Sequence, residues 1–268
     1  MATEYETTMR ADPALNVFKT FGDLNKIGVR PMLAVANPDD FAENIVHSAC
    51  DINANVIIIP FNPTQNPEDL NQRKHLIESV YKKAANTVVI FIDRGFGLNS
   101  ENPFTQMTTR SKNALSLMPE NPPVVFIPFT GGEEAREALM FGMYFMFFQG
   151  FKVVVLNIQT HVAPTMAAGE NQGLLSEPSS STINVFAEDD RMLDSVKNME
   201  NVSIIHREGK SVTTAMKEYY AETGMSKRDI LIIGKSTYET AMSFIDEECE
   251  ANVCIVQKNP AKIEILDV

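Results

Sequence analysis

The stretch that most limits what this chain can fold into is VVFIPFTGGEEAREAL, residues 124–139. Its first six residues are apolar, rich in β-branched and aromatic types, and too few for a buried helix, so they read as an interior strand of a parallel sheet. Gly131 and Gly132 end that run. Glu133 and Glu134 then fall in the first turn of an Ala-rich helix, where carboxylates complement unpaired N–H groups. A second apolar run follows at 151–158, which makes the whole a strand–helix–strand unit.

The same alternation runs through most of the chain. A helical period of Leu15, Phe18, Phe21 and Leu24 comes first, followed by a predicted strand VRPMLAVA at 29–36. Asn37-Pro38-Asp39-Asp40 is a helix start, with Phe41, Ile45, Ala49 and Ile52 on one face. Strands are predicted at 56–61 and 87–92, separated by a Pro/Asn loop at 62–69 and a helix over 70–84 that turns Leu76, Ile77 and Val80 inward. In the second half the spacing predicts a short strand at 183–187 and a helix turn or two over 189–197. Strands at 202–206, 230–233 and 253–257 follow, with helices marked by Val212, Met216, Tyr219 and Tyr220 and by 238–248. Residues 29–93 and 202–257 therefore repeat one order: strand, helix, strand, helix, strand.

These elements imply an α/β protein made of two tandem Rossmann-like modules with mainly parallel sheets, the first one incomplete. Residues 1–98 form the first module, 99–121 a Pro-containing linker, and 122–268 the second module. A Ser- and Gly-containing connector at 159–181 interrupts the second, and a loop of that length is expected to be mobile or functional.

Charge and composition exclude several function classes. A formal charge of −12 argues against a nucleic-acid partner, because such affinity comes from Lys and Arg on phosphates. The longest apolar run, 138–148, is shorter than a membrane span. Cys50, Cys249 and Cys254 form no CxxC pair, which fits a reducing compartment, and they read as buried thiols. His47, His75, His161 and His206 are scattered, so no metal site is predicted. No catalytic constellation appears, and the expectation is a protein that is not an enzyme.

Two strand ends remain as candidates for holding a ligand. Thr130-Gly131-Gly132 could turn N–H groups toward a phosphate, although Glu133 and Glu134 would repel an anion, and a structural turn is the preferred reading. Gly234-Lys235-Ser236 joins a small residue, a cation and a hydroxyl at the end of a buried strand, but lacks the further glycines of a P-loop. The two would be neighbours at the sheet's switch point. Asp93-Arg94-Gly95-Phe96-Gly97 reads as a local ion pair on a positive-φ turn. The Met- and Phe-rich run at 139–148 suits either the core or a subunit interface.

Several of these segments, in this order, resemble the cytosolic C-terminal region of plant and fungal cation/proton exchangers, members of the monovalent cation:proton antiporter 2 family. They are Val29-Arg30-Pro31-Met32, the run 56–61, the run 86–91 followed by Asp93-Arg94-Gly95-Phe96-Gly97, and Gly131-Gly132-Glu133-Glu134-Ala135-Arg136-Glu137-Ala138-Leu139. The resemblance covers roughly residues 15–256 and implies two modules similar to universal stress proteins. It implies a transmembrane antiporter domain in the same polypeptide, a homodimer, and a place on the cytosolic face of an endomembrane such as Golgi, endosome or vacuole. The function it implies is regulation of K+ or Na+/H+ antiport for pH and cation homeostasis. The alternative is a stand-alone nucleotide-binding universal-stress-protein-like module. Such modules often hold adenine nucleotides through G-x-x-G and a later Gly-Ser; here Gly234 matches the first glycine and Thr237 stands at the second.

Overall fold

A computed structural model describes residues 19–20, 22–23, 26–30, 32, 34, 36–61, 66–95, 122–147, 151–159 and 180–258. Within them seven strands form one sheet in the order β1-β2-β7-β6-β3-β4-β5. The strands are β1 (Val56–Phe61), β2 (Thr87–Ile92), β3 (Val124–Phe129), β4 (Lys152–Gln159), β5 (Val202–Glu208), β6 (Ile230–Gly234) and β7 (Asn252–Gln257). Six helices connect or flank them: α1 (Phe41–Asp51), α2 (Pro67–Lys83), α3 (Glu133–Met143), α4 (Ser180–Val196), α5 (Val212–Thr223) and α6 (Lys235–Glu247). The mixed α/β class with a mostly parallel sheet is therefore the one the sequence implies.

Strands β3 to β7 form a five-stranded parallel unit, and β1 and β2 form a parallel pair. Only the junction between these groups, β2 with β7, is antiparallel, with Val89 opposite Val256 and Ile90 opposite Ile255. Because parallel strands buried on both faces gain from apolar side chains at every position, β3, β4, β6 and β7 are almost continuously buried. One layer of core lies on each face: Val88, Ile90, Phe126, Leu231 and Ile255 on one, and Val89, Ile127, Leu139, Ile232 and Val256 on the other.

Two buried asparagines fix where β2 and β7 begin. Asn86 donates from Nδ2 to the carbonyl of Ala54, just before β1. Asn252 does the same to the carbonyls of Lys227 and Asp229, just before β6. The Asp229 carboxylate also accepts from the Val124 N–H at 2.7 Å and the Ser226 N–H at 2.7 Å, which ties the starts of β3 and β6 together. These buried amide donors help set strand register, although Asn86 Oδ1 itself has no hydrogen-bond partner among the described residues.

The structure departs from the sequence reading in several places. The described residues of 29–36 join no strand, and the first half contributes two strands to the sheet. That run contains a proline, which cannot donate to a ladder, and β1 pairs with β2 alone. Residues 183–187 belong to helix α4, not to a strand. Asp189, Leu193 and Val196, spaced i, i+4 and i+7, are buried along one face of it, and this helical period overrides a short β-branched run. Helix α2 starts at Pro67 rather than 70, because the Asn66 side chain accepts from the Glu68 N–H at 3.1 Å and caps it. Helix α6 starts at Lys235 rather than 238, directly at the end of β6.

Burial also corrects some side chains. Cys50 is exposed on α1, beside the buried Ala49, while Cys249 and Cys254 are buried as expected. Phe41 and Ile52 remain exposed, so α1 packs through the buried Ala42 and Ala49 together with the half-buried Ile45 and Val46. Of the predicted first helix, only Lys19, Thr20, Gly22 and Asp23 are described, and all four are helical. The linker at 99–121 lies outside the described residues, as does most of the 159–181 connector, whose first residue, Gln159, ends β4 and whose last two, Ser180 and Ser181, open α4.

Candidate functional site

The residues singled out from the sequence are brought together. Strand β3 ends at Phe129 and β6 at Gly234, and these neighbours place the starts of α3 and α6 side by side. Thr130 Oγ1 lies 2.9 Å from Thr237 Oγ1, which links the two strand ends directly. Gly131 and Gly132 take φ of 81° and 85°, a left-handed conformation that disfavours any side chain. A Cβ on Gly131 would fall 2.6 Å from Asp189 Oδ2, so the backbone approaches that carboxylate as closely as only glycine allows.

Asp189 takes the place an anionic ligand would occupy. Its carboxylate accepts from the Gly132 N–H at 3.1 and 3.0 Å, at the positive end of α3. Arg136, one turn into the same helix, donates to Asp189 Oδ1 at 2.5 Å and pairs with Glu188 at 3.0 Å. The second helix start is filled in the same manner. The Ser236 N–H donates to Glu134 Oε2 at 2.8 Å, and Glu134 comes from the first turn of α3. Gly234 is the N-cap of α6, and a Cβ there would lie 3.1–3.2 Å from Glu134 main-chain and Cβ atoms.

Two helix N-termini that could each hold a phosphate thus hold protein carboxylates. Lys235 is directed elsewhere: its Nζ lies 5.2 Å from the centre of the Tyr81 ring and 4.0 Å from Glu239. Because β6 passes straight into α6, no loop separates Gly234 from Ser236 to wrap an anion. The role of Asp189 was not legible locally, since it lies 57 residues along the chain from Gly132. The available signal was its place on the buried stripe of α4.

Arg94 is the other residue with a long reach. Its guanidinium lies beside a carboxylate of the second half, with Nη2 3.7 Å from Asp246 on α6, which a local ion-pair reading does not expect. Its main partners are carbonyls: Nη1 donates to Ile245 O at 2.7 Å and to Cys249 O. Ile245 O belongs to the last turn of α6 and Cys249 O lies just beyond it, so a residue of the first half caps a helix of the second. The Arg94 N–H also donates to Asn252 Oδ1 at 2.8 Å. Gly95 has φ of 104°, and its N–H donates to Asp93 Oδ1, closing the predicted turn. Burial raises the pKa of the neighbouring Cys249 thiol, which keeps it protonated, and pushes Cys254 up to about 12.

Of the Met/Phe run, Leu139 and Phe141 are core, whereas Met140 and Tyr144 are each 50% exposed. His206 Nδ1 lies 3.2 Å from Asn157 Nδ2, and His47 faces Asp51 at 3.5 Å. Among the described residues, no group of three or more His, Cys, Asp or Glu side chains could hold a metal.

Comparison with known proteins agrees with the resemblance to cation/proton exchangers. Residues 1–96 match the family described as the plant cation/H(+) antiporter domain. The resemblance is to cation/proton antiporters. Cation/H(+) antiporter 19 of Arabidopsis thaliana is 28% identical over 149 residues, covering 54% of this chain and 17% of that protein. Cation/H(+) antiporter 18 of the same plant is 28% identical over 138 residues, covering 50% of this chain and 15% of its own length. The chain thus spans about one-sixth of the curated relatives it matches. Among solved structures, a universal stress protein from Archaeoglobus fulgidus DSM 4304 covers 96% of this chain and 79% of its own, with 11% identity and a TM-score of 0.42. The fold described above rests on its own strand order, not on that superposition. Among the described residues, no helix is long and apolar enough to cross a membrane.

Proposed function

We propose that this chain is a cytosolic regulatory domain of a K+ or Na+/H+ antiporter, with no catalysis of its own, which modulates exchange for pH and cation homeostasis. The match of residues 1–96 to an antiporter domain carries this reading. The antiporters of Arabidopsis thaliana, similar over about half of this chain, support it. In this reading a transmembrane antiporter domain belongs to the same polypeptide, on the cytosolic side of an endomembrane, and the domain acts as a homodimer. The junction through β2, β7 and Arg94 suits such a role, because it couples residues 56–94 mechanically to the second half.

Cation-dependent proton flux in vesicles holding the full-length transporter tests this. The proposal expects a shifted pH dependence when residues 1–268 are removed and the transport domain remains inserted. Unchanged flux at every pH would overturn it. The alternative, a nucleotide-binding module, requires Gly132 and Ser236 N–H groups that Asp189 and Glu134 already use. Calorimetry with ATP, ADP and AMP separates the two: heat that disappears in Lys235→Ala would favour the alternative.

A further inference from the structure

A cleft of about 320 Å³ opens between α2 and α6, above the antiparallel junction of β2 and β7. That volume is at the lower end of the range for small-molecule sites. Its floor is apolar and comes from both halves, with Ile90 and Ile92 from β2 and Ile255 from β7. Each wall is a single helix. Helix α2 contributes Lys74, Ile77, Glu78 and Tyr81, at positions i, i+3, i+4 and i+7. Helix α6 contributes Lys235, Tyr238, Glu239 and Met242 at the same spacing. A cation, a large side chain, an anion and a second large side chain therefore line both walls. These two helices also hold equivalent places, each joining parallel neighbours on one side of the junction. The first residue of one stripe, Lys235, lies over the last residue of the other, Tyr81.

The charges on the two walls differ in how far they are used. Lys235 is held over Tyr81 and beside Glu239. Tyr238 donates its hydroxyl hydrogen to Asp246 at 3.2 Å. On the other wall Lys74 and Glu78 have no ion-pair partner among the described residues, although they stand one turn apart. The lining holds two lysines and two glutamates, so it is electrically balanced in a chain of net charge −12. A singly charged ligand would meet one favourable and one unfavourable charge on each wall. A ligand with both charges meets Lys74 with its anion and Glu78 with its cation. Above this buried floor, the half-buried Ile77 and Met242, which is 50% exposed at the mouth, offer the apolar surface that an apolar body would cover. Burial raises the Tyr81 pKa and pushes that of Tyr238 up to about 12, so both phenols stay neutral at ordinary pH and add no charge to this balance.

We infer that the cleft between α2 and α6 binds a small zwitterion with an apolar body, of the kind that an α-amino acid with a large apolar side chain presents. The assignment does not depend on the transport reading, since it rests on the cleft alone. The test uses the full chain with labelled Met and Ile methyl groups and three probes sharing one ring: phenylalanine, 3-phenylpropionate and phenethylamine. Phenylalanine is expected to shift the methyl signals of Met242, Ile92 and Ile255 saturably. Lys74→Gln and Glu78→Gln are each expected to weaken that binding about tenfold or more, the loss of one charge-assisted contact. Both side chains are on an exposed helix face, so the variants keep the fold, and Lys152→Gln on β4 serves as the unaffected control. No saturable shift with phenylalanine would overturn the inference. So would equal binding of either singly charged probe, or insensitivity to both α2 substitutions.

Discussion

β1 and β6 occupy the same place in the two halves, each the strand before the helix that leads to the junction, and both are short apolar runs. Yet every residue of β6 is buried, whereas β1 alternates and leaves Ile58 56% exposed. The difference lies in their neighbours. β6 has β3 on one side and β7 on the other, with α3 packed over it; among the described residues β1 pairs only with β2. A strand's burial is thus set by what the rest of the chain places beside it, more than by its own composition. The two halves share one sheet, but the first half borrows stability at the junction that the second half supplies throughout.

Substitutions at matched positions turn this contrast into measurements. The largest difference is expected between Ile232→Ala and Ile58→Ala. Ile232 is fully buried between β3 and β7, and truncation there should cost about 4 kcal/mol in denaturant unfolding. The same change at Ile58 should cost less than about 1 kcal/mol, because much of that side chain already faces water. Equal costs would mean that β1 is covered as fully as β6.

Next comes the closed site at the starts of α3 and α6. Asp189→Ala leaves Arg136 and the Gly132 N–H without their shared carboxylate and should destabilise the chain by about 3 kcal/mol. A loss under about 0.5 kcal/mol would show that water or Glu188 replaces it at no cost. The junction follows in size. Arg94→Ala removes the donors that cap Ile245 and Cys249, and thermal unfolding should report a loss of about 2 kcal/mol. Arg94→Lys should recover only part, since an ammonium cannot present the guanidinium's fork.

The smallest effect compares two helix starts with nearly the same sequence. Asn66 caps α2 through its side chain, so Asn66→Ala should cost about 1 kcal/mol. Asn37 stands before Pro38 in the same arrangement, but its side chain makes no cap hydrogen bond, and Asn37→Ala should be nearly neutral. Both readings are checked by urea midpoints at constant slope.

The same pair of starts shows what was legible in the sequence. Asn37-Pro38-Asp39-Asp40 reads as a helix start, and a helix does begin there, after one 3-10 turn. Asn66-Pro67-Glu68-Asp69, with the stronger cap, reads in sequence as part of a Pro/Asn loop, because Leu70 alone is apolar before Leu76. The seven strands placed correctly are those whose short apolar runs call for a buried sheet. The run at 29–36 looks equivalent in sequence, but none of its described residues joins the sheet. At the candidate site, the adjacency of Thr130 and Gly234 followed from strand order alone. The carboxylates of Asp189 and Glu134 that fill it could not be read from local spacing, since each reaches across from another element. The paired stripes of α2 and α6 were present as letters, but they gain meaning only once the antiparallel junction turns the two helices toward one cleft.

The measurement that bears most directly on this account is native-state amide hydrogen exchange across β1, β2, β6 and β7 in the full chain. If β2 and β7 form one cooperative junction, their paired amides will exchange with the same high opening free energy as β6, while outward-facing amides of β1 exchange faster. If β2 instead opens together with β1 at a free energy well below that of β7, the two halves unfold separately, and the single-sheet account is contradicted.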